Sequence, residues 1–138
     1  MTPFKCTLND DCLIMVNVVP KAGDPTSCTI TVDLPEIKMD SGGLSTFVSH
    51  LIRWQLDDDS QDANFRFANT PDGVILKDPN SDPNNKQFFK KDRTNKGREY
   101  LWRDKNSDTK EYAYSINVFQ KNSNPLRSCH LDPKIYNN

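Results

Sequence analysis

A chain of 138 residues, 35% hydrophobic and 27% charged, fits one domain and is long enough to bury most of the apolar surface its unfolded state exposes. Its formal net charge of -1 gives no global electrostatic reason to expect nucleic acid or an anionic membrane as partner, and apolar residues clustered in short runs exclude wholesale disorder. No apolar stretch approaches the roughly 18 residues of a membrane helix, so no membrane insertion is expected.

The N-terminal Met1-Thr2-Pro3-Phe4-Lys5-Cys6 lacks the basic start and apolar core of a signal peptide. That predicts either a cytoplasmic protein or a mature fragment carrying an added start methionine. Period-two alternation then recurs along the chain, whereas an apolar stripe at helical spacing does not. The first predicted strand, about Cys12 to Val19, turns Cys12, Ile14, Val16 and Val18 to one face, and Pro20 and Gly23-Asp24-Pro25 end it. The second, about Ser27 to Leu34, places Cys28, Ile30, Val32 and Leu34 inward, then breaks at Pro35 and Ser41-Gly42-Gly43.

A third strand, about Thr46 to Leu56, puts Val48, His50, Ile52, Trp54 and Leu56 on its core face; a helix over Leu44 to Leu56 is the rival, disfavoured by β-branched and aromatic content. Asp57-Asp58-Asp59-Ser60 reads as a solvated turn. Short strands follow at Asn64 to Ala68 and Val74 to Lys77, joined by the turn residues Asn69 to Gly73. From Asp78 to Gly97 the chain reads as a long polar loop anchored by Phe88 and Phe89. Order returns with Tyr100 and Trp102 at Arg98 to Arg103, and with Tyr112, Tyr114, Ile116 and Val118 at Glu111 to Phe119. A last segment, about Ser128 to Tyr136, carries Leu131 and Ile135, with Pro133 marking an edge or a bulge. Seven or eight such strands predict an all-β fold, a two-sheet antiparallel sandwich in one domain.

Four cysteines, Cys6, Cys12, Cys28 and Cys129, contain no C-x2-C pair, which argues against the usual zinc site. The simpler reading is small buried thiols. The other is one disulfide between distant segments, such as Cys28 to Cys129, which would imply an oxidising compartment.

The run Asp108-Thr109-Lys110-Glu111-Tyr112-Ala113-Tyr114 resembles the start of strand F in immunoglobulin-like domains, where an Asp precedes by four residues the tyrosine-corner Tyr. The resemblance implies an immunoglobulin-like topology in which Tyr112 ties the two sheets together. It also implies that Trp54 is the core Trp of strand C, faced by Trp102 from strand E. Tyr114 stands where antibody domains carry their second cysteine, so the usual disulfide is absent. The stretch from Trp102 to Asn137 is also similar to a pattern in small bacterial all-β proteins of no assigned activity.

Catalytic chemistry finds little footing. His50 shares the inward parity of Ile52 and Trp54, which predicts a hydrogen-bonded structural histidine, while His130 alternates away from Cys129 and Leu131. A small hydrolase using His50 or His130 with nearby acids is the enzymatic alternative. There is no G-x-S-x-G, H-E-x-x-H or phosphate-cradling loop. Asp78-x-Asn80-x-Asp82-x-Asn84 and Asp104-x-Asn106-x-Asp108 space oxygen ligands as calcium loops do. The first, however, has Pro83 and Phe89 where an EF-hand needs Gly and an acid, and the second has Thr109 and Ser115. No cofactor or metal is expected.

Between Lys86 and Arg103, seven basic residues stand against Asp92 and Glu99, with Phe88, Phe89, Tyr100 and Trp102 interleaved. Exposed rings there would suit a sugar or single-stranded nucleic acid; a basic loop would suit an acidic protein surface. The sequence thus points to a non-enzymatic binding module for a protein partner, with Lys90, Lys91, Arg93, Lys96 and Phe88 as candidate contacts.

Overall fold

The computed structural model describes residues 5–6, 12–39, 50–105 and 110–137. Its strands are β1 (Lys5–Cys6), β2 (Cys12–Pro20), β3 (Cys28–Val32), β4 (Glu36–Met39), β5 (His50–Leu56), β6 (Phe65–Phe67), β7 (Val74–Leu76), β8 (Phe88–Thr94), β9 (Glu99–Asp104), β10 (Glu111–Gln120), β11 (Ser128–Leu131) and β12 (Lys134–Tyr136). A short helix, α1 (Asp58–Asp62), and three 3-10 turns complete the described residues. Among those residues no helix is long and apolar enough to cross a membrane.

The strands form two packed sheets. The front sheet runs β3-β2-β5-β9-β8, and the back sheet is built on β1-β4-β12-β10. β11 and β12 lie end to end along one edge of β10 in one register, Ile116 opposite Leu131 and Tyr112 opposite Ile135. β6 and β7 share the other edge, with Ala68 donating to the Asn117 carbonyl and Asn117 donating to the Gly73 carbonyl.

Alternation makes the interior. Cys12, Ile14, Val16 and Val18 of β2 and His50, Ile52, Trp54 and Leu56 of β5 are all buried, facing Tyr112, Tyr114, Ile116 and Val118 of β10. The helix considered for 44–56 is overturned over 50–56, where the chain is strand; 44–49, Val48 included, lie outside the described residues.

The sheets are mixed, which corrects the antiparallel expectation. β2 pairs parallel with β5, β12 with β4, and β4 with β1. The chain leaves β3 in the front sheet, crosses at Pro35 to form β4 in the back sheet, and re-enters the front sheet beyond β2 as β5. Parity of apolar residues is identical for either strand direction, so the sequence carried no sign of this.

There are also more strands than the seven or eight expected. β1 and β4 are added, and Pro133 splits the last segment into β11 and β12. The expected loop at 78–97 is two 3-10 turns, Pro79–Ser81 and Pro83–Asn85, followed by β8 and a third turn. Only Phe88 of β8 must face the core, so the rest of that edge strand is free to be polar and looked like a loop. The expected solvated turn at Asp57 is a helix cap. Its carboxylate accepts from the Ser60 amide (2.9 Å), and the buried Ser60 hydroxyl accepts from the Val18 amide (2.7 Å).

An aromatic cluster joins the layers. Trp54 lies 5.3 Å from Trp102 and 5.5 Å from Tyr114, and its indole N–H donates to the Tyr114 hydroxyl at 3.2 Å. Trp102 therefore stands beside Trp54 on the neighbouring strand of the same sheet, rather than facing it from the other. The tyrosine bonded across the layers to Trp54 is Tyr114; Tyr112 packs edge-on against Phe88 at 4.8 Å. Asp108, the other half of the expected corner, lies outside the described residues.

Cys28 and Cys129 form a disulfide, Cα to Cα 5.4 Å, across 101 positions of sequence. Cys12 is also disulfide-bonded, so the thiol reading is overturned. The Cys28–Cys129 bond ties the edge strand of the front sheet to β11 of the back sheet, beside a Ser128 amide bond to the Thr26 carbonyl. Closing a loop of that length stabilises the fold by about 2–5 kcal/mol through the unfolded chain.

Candidate interaction face

The five residues expected to make contacts do not form one patch. Phe88 is fully buried against Trp102 and Tyr112, so it belongs to the core. Arg93 is a clamp: its Nε donates to the Phe67 carbonyl at 2.9 Å, fastening the front edge to β6. Its guanidinium also lies where a side chain on Gly97 would sit, and Gly97 holds a φ of +86.

Lys90 and Lys96 are exposed, at left-handed positions with φ of 51 and 56. Lys90 opens a bulge, because the β8–β9 register shifts between Phe89 and Asp92 and sets Lys90 and Lys91 against one residue, Trp102. That shift turns Lys91 back over the Trp102 ring, its Nζ 4.8 Å from the centroid and donating to Asn85 Oδ1 at 3.1 Å. Burial lowers the Lys91 ammonium from its ordinary value, and the nearby Asp82 carboxylate partly opposes that shift.

The histidines fall on different sheets. His50 is buried on β5, directly opposite the buried Asp104 of β9. His130 is exposed on β11 with its Nε2 3.8 Å from Asp132, whose other oxygen accepts from the Ser115 hydroxyl at 2.6 Å, while Lys77 approaches at 3.4 Å. A serine, a histidine and an aspartate thus meet, but the serine donates to the carboxylate. Nucleophilic catalysis needs the serine on the imidazole, and the imidazole on the acid. The Ser115 hydroxyl, with Lys77 and His130, holds Asp132 below the usual carboxylate range.

The oxygen-rich run at 78–84 is occupied with backbone. Asp78 accepts from the Asn80 amide at 2.9 Å, and the buried Asp82 accepts from Gln87 and Phe88, both at 2.9 Å. In the second run, Asp104 is in the core and 106–109 lie outside the described residues.

A surface that the sequence reading missed lies on the outside of the front sheet. Leu13 is 44% exposed there, and Met15, Leu51, Leu101 and Phe89 are half-buried. Cross-strand register interleaves them with arginine: Leu13 stands opposite Arg53, Arg53 opposite Leu101, and Arg103 lies between Leu51 and Phe89. Arg53 reaches Glu99 at 3.6 Å. The back sheet presents a different outer face, with Lys134 paired to Glu111 at 2.7 Å and the Ser115–Asp132–Lys77 group beside Asn117. The signal was present in the chain: Cys12 to Val16, Leu51-Ile52, Phe88-Phe89 and Leu101-Trp102 are apolar at both parities, so each strand must turn apolar side chains outward as well as in.

In comparison with known proteins, no family model matches the chain and no curated protein matches its sequence.

Proposed function

We propose that this protein is a non-enzymatic interaction module that binds a protein partner through the outer face of its front sheet. The observation that carries this reading is the exposed Leu13 with the half-buried Met15, Leu51, Leu101 and Phe89, spread over four strands and covered by no other strand or helix among the described residues. Apolar side chains turned outward and interleaved with arginine have the composition of a contact site, since Met, Phe and Arg are the residues enriched where proteins meet. Recognition of sugars or single-stranded nucleic acid has less support, because Phe88, Tyr100 and Trp102 are fully buried and leave Phe89 alone of that set for stacking.

An immunoglobulin-like character of the sandwich belongs to the same proposal, supported by Tyr112 buried at the start of β10 and Trp54 at the centre of the core. So does residence in an oxidising compartment, supported by the Cys28–Cys129 bond.

The test is a Leu13→Asp/Leu101→Asp double variant, which charges the face without touching the core. After cross-linking in its native cells, the parent chain is expected to hold a defined partner that the variant loses at unchanged melting temperature. Equal recovery of the same proteins by both would sink the reading.

A further inference from the structure

A second, separate feature lies on the flank where β7 ends the back sheet and the bulged β8 ends the front sheet. Between them is a cleft of about 150 Å³. Pro71, Val74, Leu76 and Pro79 supply apolar wall, and Lys91, Asn85 and the Asp82 carboxylate supply polar wall. The bulge places Lys91 there: without the extra residue, strand alternation would send its side chain to the other side of β8.

The cleft also has a backbone edge. Among the described residues β7 pairs with β10 alone. Gly73 and Lys77 direct their backbone groups to β10, through Asn117 N–H to Gly73 C=O and Lys77 N–H to Ala113 C=O. Antiparallel alternation therefore turns the N–H and C=O of Leu76, and the C=O of Val74, away from β10 and toward the open side. A strand edge, a pocket the size of one side chain and a half-buried ammonium converge within one cleft.

We propose that this cleft captures the C-terminal end of an extended peptide. The peptide main chain adds to β7 at Leu76, its last side chain enters between Pro71 and Pro79, and its terminal carboxylate meets the Lys91 ammonium. Strand addition supplies affinity through main-chain bonds, and a charge-assisted bond at the terminus supplies direction. Asp82, the acid nearest Lys91 in effect, already accepts from two backbone amides, so its charge is partly satisfied without the lysine. Burial disfavours the bare ammonium, and an incoming carboxylate would restore it.

The probes are the tetrapeptide Ala-Ala-Ala-Leu as free acid, the same peptide as its C-terminal amide, and N-acetyl-leucine, each titrated into the 15N-labelled full chain. The free acid is expected to shift the amides of Val74, Ile75 and Leu76 and the Trp102 indole, and to bind roughly tenfold tighter than the amide, the worth of one charged hydrogen bond. Lys91→Gln should bring acid and amide to equal affinity, while Lys90→Gln, one residue away on the exposed bulge, should leave the difference intact. Unchanged spectra elsewhere show that both variants keep the fold.

Equal affinity for acid and amide, or shifts confined to the exposed lysines, would overturn the proposal. N-acetyl-leucine binding as tightly as the tetrapeptide would overturn the main-chain part, leaving a small-carboxylate pocket. None of these outcomes bears on the front face.

Discussion

At the scale of single residues, the indole of Trp54 shows how a buried polar atom binds two layers. Its N–H meets the Tyr114 hydroxyl in the fully buried core, and burial pushes the Tyr114 phenol above its ordinary range, so it stays a neutral hydroxyl throughout the working pH scale. Tyr114→Phe keeps the ring and orphans the indole N–H; it should destabilise the fold by about 1–3 kcal/mol in urea titration, with the slope unchanged. Asp132 offers a test at the surface. Its folded-state carboxyl is held low, first by the Ser115 hydroxyl. Its stabilising effect is therefore present above the ordinary carboxylate value and disappears as pH falls through the lowered one. Ser115→Ala should raise the Asp132 midpoint toward that ordinary value in an NMR titration. No shift would show that Lys77 and His130 alone set it.

Among the elements, legibility tracked how much of a strand's alternation the core demanded, with β4 the exception: it buries Ile37 and Met39, but it is four residues long and was not expected. β2, β3, β5, β9 and β10 each bury at least two alternate positions and could be read from Cys12-x-Ile14-x-Val16 or Trp54-x-Leu56. β8 buries Phe88 alone, and Lys90-Lys91-Asp92-Arg93 behind it has the composition of a loop. The bulge was illegible for a further reason: it depends on Trp102, a residue on another strand that a local window does not contain. The candidate contacts suffered accordingly, since charge and aromaticity located Lys91 and Arg93 without revealing that one covers a ring and the other clamps a carbonyl. Lys90→Val tests the bulge directly. A β-branched residue at φ 51 is strained, so melting under calorimetry should show a loss of about 1–2 kcal/mol. An unchanged transition would mean that the strand re-registers at no cost.

The whole molecule combines a legible interior with an illegible connectivity. Two dry inner faces follow from period-two patterning, and so does the sandwich. The passage of the chain between sheets at Pro35, and the parallel pairings it produces, leave no mark on that pattern. The four cysteines likewise gave no spacing signal, because Cys28 and Cys129 meet only once both sheets exist. Removing that bond by Cys28→Ser/Cys129→Ser should lower stability by about 2–5 kcal/mol, read from the urea midpoint. A loss well below that range would mean the packing of β3 on β11 already constrains the unfolded chain.

Fastening of the two flanks is unequal. One side is stitched by sulfur, the other by a guanidinium resting on a carbonyl, Arg93 on Phe67. A sandwich bound in this way behaves like a book with a sewn spine: when thermal motion parts the covers, they gape at the fore-edge. β7 and β8 should accordingly surrender their amide protons to deuterium before β2 and β11 do, and the Lys91 cleft lies on that fore-edge.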